Sequence, residues 1–275
     1  MDAVSPLVTA DDVETFRRDG VVCLRGVLPP ELVLAMASPV ETAIASAQSA
    51  DLATMASGAD AAGAGRFVAG VDHWRHQPEM YAFSARSPLP AIVAALLGSQ
   101  RVFLYEDSVL VKEPGAAART HWHQDLGYFH LDGRQLCTTW CPLDPVTYGT
   151  GAMRFVRGSH AWGRLFRPHM FVDSTAIPGT EGEEVPDIEA AAAAGECDVV
   201  SFELEPGDIT VHHASTLHAS GPNTSTSTRR RAISVRYCGD DARYLRRPGT
   251  PRKPEQAGMQ NGDALGGAAH PQVFP

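Results

Sequence analysis

The chain has 275 residues, of which 44% are hydrophobic, 20% charged and only 7% aromatic, enough for one globular domain with a sizeable core. Its formal charge of -9, from 23 basic and 32 acidic residues, argues against nucleic acid or an anionic membrane as the main partner. No apolar run reaches the length of a membrane span, and the opening stretch MDAVSPLVTADDVETF lacks the basic flank and apolar core of a signal peptide, so a cytoplasmic location is expected.

The first element in chain order is TADDVETFRRDG, a short helix with Thr9 as N-cap, acids in its first turn and Gly20 as C-cap. VVCLRGVL follows as a strand, and PPELVLAMASPVETAIASAQ as one helix opened by proline. Residues 48–66, continuing to 78, are rich in small side chains and carry little periodicity; they read equally as a mobile stretch or as a lid over a site. SPLPAIVAALLG returns to helix. From Gln100 the texture changes to short β-like runs: RVFLYEDSVLVK, THWHQDLGYF, QLCTTWCPL, AMRFVRGS, DITVHHAS and RRAISVRY. Such runs, divided by Gly/Pro turns, predict an antiparallel sandwich or barrel. Residues 174–206 interrupt it as an acidic, alanine-rich insertion expected to carry a surface helix, and the Pro/Gly-rich tail 247–275 is either disordered or draped over the domain. The five cysteines (Cys23, Cys137, Cys141, Cys197 and Cys238) contain no CxxC pair and read as reduced thiols. One domain over residues 1–275 is expected, mostly β with helices (α+β), its double-sheet core lying beneath an N-terminal helical layer.

Five of the eleven histidines fall in two β-like stretches: His121 and His123 in RTHWHQDLGYF, and His212, His213 and His218 in GDITVHHASTLHASGPN. If the first stretch is a strand, His121, His123 and Asp125 share one face, because strand side chains alternate with period two. Two neutral imidazoles and one carboxylate on one face of an octahedral ion make the ligand set of non-haem Fe(II) oxygenases. Three positions then stay open for a chelating cosubstrate and dioxygen. A His-x-Asp pair needs a second histidine from a distant strand, and His218 lies 93 residues after Asp125. Beyond it come Arg229, Arg230 and Arg231, any of which could clamp a dicarboxylate bidentately.

In HQD, RFVRGSH and PGDITVHHASTLHASGPNTS followed by RRRAISVRY, and in the early DGVVCLRGVL, the sequence resembles the phytanoyl-CoA dioxygenase family of Fe(II)/2-oxoglutarate-dependent oxygenases over nearly its whole length. The resemblance implies a double-stranded β-helix (jelly-roll, cupin-like) core, and Fe(II), 2-oxoglutarate and O2 as cofactor and cosubstrates. It implies His123, Asp125 and His218 as the metal ligands, with His121 a neighbour on the pocket wall. It places Ser220 at the 2-oxoglutarate carboxylate and His213 where the family often has a non-ligating histidine, with His212 pointing the other way. The cosubstrate arginine is ambiguous: spacing from His218 gives Arg229, whereas the residues that follow the motif arginine give Arg230. Alternation groups Arg230 with the small Ala232 and Ser234 and so favours it, and Arg229 stays open. Tyr128 and Phe129 are expected to line the cavity, and Glu106 and Ser108 to face it from the preceding strand.

The implied reaction is oxidation of a C–H bond in a small-molecule substrate, coupled to decarboxylation of 2-oxoglutarate to succinate and carbon dioxide. Asp125 stands where related halogenases carry Gly or Ala, so hydroxylation rather than halogenation is expected; epimerisation, desaturation and ring closure use the same centre and stay open. PGAAARTH lacks the basic density of a CoA-phosphate site. A composition rich in Ala, Gly and Arg, with lysine only at Lys112 and Lys253, suits a GC-rich genome and a natural-product tailoring enzyme. A cupin-like metalloenzyme without 2-oxoglutarate would leave the arginines without a role, a zinc hydrolase would lack a placed general base, and a binding module would have no chemical reason to keep all four residues. Substrate identity and oligomeric state are not legible.

Overall fold

A computed structural model describes residues 7–275; residues 1–6, the start of the stretch read as lacking a signal peptide, lie outside the described residues. Helix α1 (Ala10–Asp19) begins at Thr9, which exchanges side-chain-to-backbone hydrogen bonds with Asp12, and stops at left-handed Gly20 (φ 73°), as predicted. Strand β1 (Val21–Leu24) follows. The single helix expected next is two, α2 (Pro30–Ala35) and α3 (Ala37–Ile44), divided at Met36. Helix α4 (Pro78–Arg86), which the sequence reading missed, precedes the expected α5 (Leu89–Leu97). Together Pro78–Leu97 are long and apolar enough to cross a membrane by length and composition. Extended Ser87 (ψ 179°) divides them, and both halves bury apolar side chains in the same core.

The remaining strands are β2 (Ser49–Asp51), β3 (Phe67–Val71), β4 (Val102–Lys112), β5 (Thr120–His123), β6 (Leu131–Asp132), β7 (Leu136–Pro142), β8 (Met153–Val156), β9 (Val199–Ser201), β10 (Ile209–His213), β11 (His218–Ser220), β12 (Arg230–Cys238), β13 (Arg243–Tyr244) and β14 (Gln272–Phe274). The major sheet runs β1-β10-β7-β12-β4-β3-β2, with β14 also on β4; the minor sheet runs β5-β11-β8-β9, and all their pairings are antiparallel. This is the jelly roll expected, with helices over one face.

Alternation along the major sheet divides its residues between two environments. Ile209, Val211, Ile233 and Val235 pack outward against Val33, Met36, Val40, Phe83, Ile92 and Val93 of the helices. Thr210, His212, Ser234 and Arg236 belong to the opposite, inner face. Strand β4 carries a bulge at Tyr105, where the register with β12 jumps, so Tyr105 and Glu106 both reach the interior.

Three irregular segments find definite places. The stretch read as mobile or lid-like supplies β2 and β3, which extend the major sheet, and Gln48, Leu52, Phe67, Ala69, Gly70, Val71 and Asp72 of it form cavity wall. The insertion 174–206 carries the expected surface helix, α6 (Ile188–Ala193), and β9. The tail is draped: Thr250–Lys253 line the cavity and β14 pairs with β4.

Candidate functional site

Between the sheets lies a cavity of about 470 Å³. His123 ends β5, and β11 pairs with it so that His218 stands directly opposite. Asp125 is not on the strand, contrary to the alternation argument; it opens a short 3-10 turn (Asp125–Tyr128) that swings its carboxylate back towards both rings. Oδ1 of Asp125 lies 3.9 Å from His123 Nε2 and 3.8 Å from His218 Nε2, and the three ligand atoms lie within 4.8 Å of one another.

The hydrogen bonds behind these rings fix their chemistry. His123 Nδ1–H donates to the His121 carbonyl (2.8 Å) and His218 Nδ1–H to the Thr216 carbonyl (2.9 Å), since a carbonyl only accepts. Each neutral ring then presents its Nε2 lone pair to the cavity. Burial, followed by the neighbouring His218, holds His123 well below the usual histidine range; burial, followed by His212, lowers His218 to about 4. For Asp125 burial acts upward, but Arg236, His212 and His218 outweigh it and keep the carboxyl well below its ordinary value. Two neutral nitrogen donors and an ionised oxygen, with their tautomers fixed, fit an octahedral Fe(II) that keeps open positions.

At the other end of the cavity, Arg230 is 1% exposed and lies over the Trp140 ring (5.4 Å), and its buried Nε has no hydrogen-bond partner among the described residues. Burial lowers its pKa to about 10, opposed by Asp144. A desolvated guanidinium facing a cavity suits a bound carboxylate. Ser220 stands in the same corner, accepting from Lys112 Nζ (3.0 Å) and donating to Thr120 Oγ1 (3.2 Å). Lys112 is buried, held well below the ordinary lysine range by burial and then by Arg230. The Arg230 guanidinium and the Ser220 hydroxyl, which both line the cavity, fit the far carboxylate of 2-oxoglutarate.

Residues 16–232 match the model of the phytanoyl-CoA dioxygenase (PhyH) family. The chain belongs to this family. It is an Fe(II)/2-oxoglutarate-dependent dioxygenase. It is 28% identical over 227 residues to the 1-deoxypentalenic acid 11-beta-hydroxylase of Streptomyces exfoliatus, covering 79% of this chain and 77% of that protein. The enzyme of the same name from Streptomyces arenae is 30% identical over 130 residues, 45% of this chain and 44% of that protein. Among solved structures, the non-heme alpha ketoglutarate dependent carbocyclase SnoK from nogalamycin biosynthesis shares the fold with a TM-score of 0.75, at 24% identity and 97% coverage of both chains. The epimerase SnoN in complex with Fe3+, alpha ketoglutarate and nogalamycin RO gives 0.71 at 25% identity, over 96% of this chain and 97% of that one.

Several expectations for this PhyH-family enzyme need correction. His121 does not line the cavity; its ring turns to Asp60 (3.3 Å) and is 31% exposed, because the strand carries it on the side of the 58–61 turn. His213 does not line it either. It shares the outer face of β10 with Ile209 and Val211, and its Nε2 bonds the Arg134 carbonyl (2.8 Å). The histidine that enters the cavity is His212, 1% exposed. Arg229 is taken by Glu41 (2.8 Å) and Glu113 (2.9 Å) at the surface, whereas Arg230 points inward. Tyr128, Phe129, Glu106 and Ser108 line the cavity.

The sequence reading missed the polar wall opposite. Arg236 bonds Ser108 and lies 3.7 Å from Glu106 and 3.9 Å from Asp125. Lys253 of the tail bridges Glu106 (2.6 Å) and Asp72 (2.7 Å). It also missed Phe171, a bulky residue in left-handed backbone (φ 58°), stacked on Tyr128 (4.7 Å) and edge-on to His123 (5.1 Å). The inner-face position of Arg236, in step with Arg230 and Ser234, was readable from alternation; Phe171 and the tail gave no local signal.

Proposed function

We propose that this enzyme hydroxylates a C–H bond of a bulky, chiefly apolar small molecule, as a natural-product tailoring step, with His123, Asp125 and His218 holding Fe(II) and Arg230 with Ser220 holding 2-oxoglutarate. The observation that carries the reading is the convergence of two tautomer-fixed Nε2 lone pairs and one carboxylate oxygen in a cavity that also contains an unpartnered guanidinium. Bound there, Fe(II) with 2-oxoglutarate and dioxygen supplies the oxidising power, and 2-oxoglutarate leaves as succinate and carbon dioxide.

The chain's own contribution is binding, orientation and exclusion of water. The carbonyls of His121 and Thr216 orient the ligand rings. Arg230, with Trp140 beneath it, offers the cosubstrate a charge-assisted bond in a dry corner. Leu52, Val71, Tyr128, Phe129, Phe171 and Ile177 make the rest of the wall chiefly apolar, and Glu106 with Lys253 gives it one polar end. Hydroxylation is supported by the Streptomyces exfoliatus relative. Epimerisation is the second reading, favoured by the likeness to SnoN.

Substrate-dependent succinate formation is expected to fall to background in His123→Ala and Asp125→Ala. It should survive in His121→Ala, which loses only a half-exposed contact worth less than about 1 kcal/mol. Full activity in His123→Ala would overturn the ligand assignment, and product mass distinguishes oxygen insertion from epimerisation.

A further inference from the structure

Behind Asp125 runs a row of polar side chains that none of the motifs signals. Strands β10, β7 and β12 are neighbours, and their registers set His212 against Thr138 and Thr138 against Arg236. All three side chains line the cavity, and all three approach the same atom. Thr138 Oγ1 donates to Asp125 Oδ2 at 2.5 Å, His212 Nε2 stands 3.5 Å from it, and Arg236 Nε 3.9 Å. Oδ1 is left facing His123 and His218.

His212 is the unusual member of this row. Its ring is buried between His218 (4.3 Å) and Phe155 (5.2 Å), and among the described residues neither ring nitrogen has a partner within hydrogen-bond geometry. A buried imidazole with both nitrogens unpaired destabilises a fold, and an aromatic hydrocarbon would fill the place without that cost. The difference from the ligand histidines lies behind the ring. Carbonyls hold Nδ1–H of His123 and His218, which makes Nε2 a lone pair; nothing holds Nδ1 of His212, so Nε2–H is free to donate.

Resting on the reading of Asp125 as an iron ligand, we propose that His212 is a positioning residue that donates from Nε2 to the outer oxygen of Asp125. With Thr138 and Arg236 it saturates Oδ2, so that Asp125 offers the metal one oxygen and leaves the remaining positions to cosubstrate and dioxygen. Without that donor, Oδ2 keeps only Thr138 and the more distant Arg236, and the carboxylate is held less firmly in its one-oxygen orientation.

The test compares metal-free wild type, His212→Phe and His212→Gln, checked for folding by thermal melting and titrated anaerobically with Co(II) while the visible ligand-field bands are followed. His212→Phe is expected to melt no lower than wild type, to bind Co(II) about 10–100-fold more weakly and to shift the bands. His212→Gln, whose amide nitrogen reaches the same oxygen, is expected to recover most of the affinity. Should the phenylalanine variant not fold, His212→Asn, too short to reach Asp125, reads in the same way. Wild-type affinity and unchanged bands in His212→Phe, or failure of His212→Gln to recover, would overturn the proposal while leaving the triad intact. Failure of the wild type to bind Co(II) would overturn the triad reading itself, and this proposal with it.

Discussion

Replacing Arg230 by Met is expected to move cosubstrate affinity and stability in opposite directions. The guanidinium is 1% exposed, its Nε is unpaired among the described residues, and burial has pulled its pKa down from the ordinary arginine range to about 10. At roughly 1.4 kcal/mol per unit, this corresponds to about 3 kcal/mol of unfavourable desolvation in the folded, charged state. Because the folded pKa of this base is depressed, the penalty is carried at neutral pH. Met fills much the same volume over Trp140 without it, so the cosubstrate-free variant should melt several degrees higher, at about 2–4 °C per kcal/mol for a domain approaching this size. The partner lost is the far carboxylate of 2-oxoglutarate, a buried charge pair whose truncation costs about 2–5 kcal/mol. The apparent KM for 2-oxoglutarate should therefore rise at least ~30-fold. Differential scanning fluorimetry with and without 2-oxoglutarate reads both effects: a raised baseline and a lost ligand-induced shift. Arg229→Met is the control, expected to disturb only the surface contacts with Glu41 and Glu113. A lowered melting point with unchanged 2-oxoglutarate affinity in Arg230→Met, or the KM effect appearing in Arg229→Met instead, would refute the reasoning.

Lys253→Met should leave Asp72 and Glu106 with only their longer contacts to Arg75 (3.6 Å) and Arg236 (3.7 Å), costing about 2 kcal/mol and raising the substrate KM, with stability largely restored by adding Glu106→Gln; wild-type stability in the single variant would show that the tail makes no such contact. The metal-free enzyme should lose stability as pH falls from 6.5 towards 4. His218 is neutral in the fold down to about 4 but takes up its proton near 6.5 when unfolded, and His123 acts in the same direction. Chemical denaturation across that window checks it, and a flat profile would contradict the burial of neutral ligand histidines.

How much of this site the sequence carried depended on the range of the signal. The triad could be placed because HQD and LHASGPN are local motifs whose spacing survives even though Asp125 leaves the strand for a turn. Period-two alternation separated Arg230, with Ala232 and Ser234, from the packed Ile233 and Val235. The same rule, applied to Ile209 and Val211, would have put His213 on the helix-covered face and His212 inside; the family pattern drew attention to the wrong one of the pair. The bulge at Tyr105 reverses alternation within β4, so inward residues before and after it differ in parity. Lys253 reaches Glu106 from an aperiodic tail, and Phe171 owes its place to a left-handed backbone held by its neighbours. Both are products of tertiary packing, which leaves no periodic trace.

The most direct test of the central claim is an anaerobic titration of the metal-free enzyme with Fe(II) in the presence of 2-oxoglutarate. The account predicts a weak visible charge-transfer band that saturates at one Fe(II) per chain, needs both components and is lost in His123→Ala. No band in the wild type, or an undiminished band in His123→Ala, would contradict it.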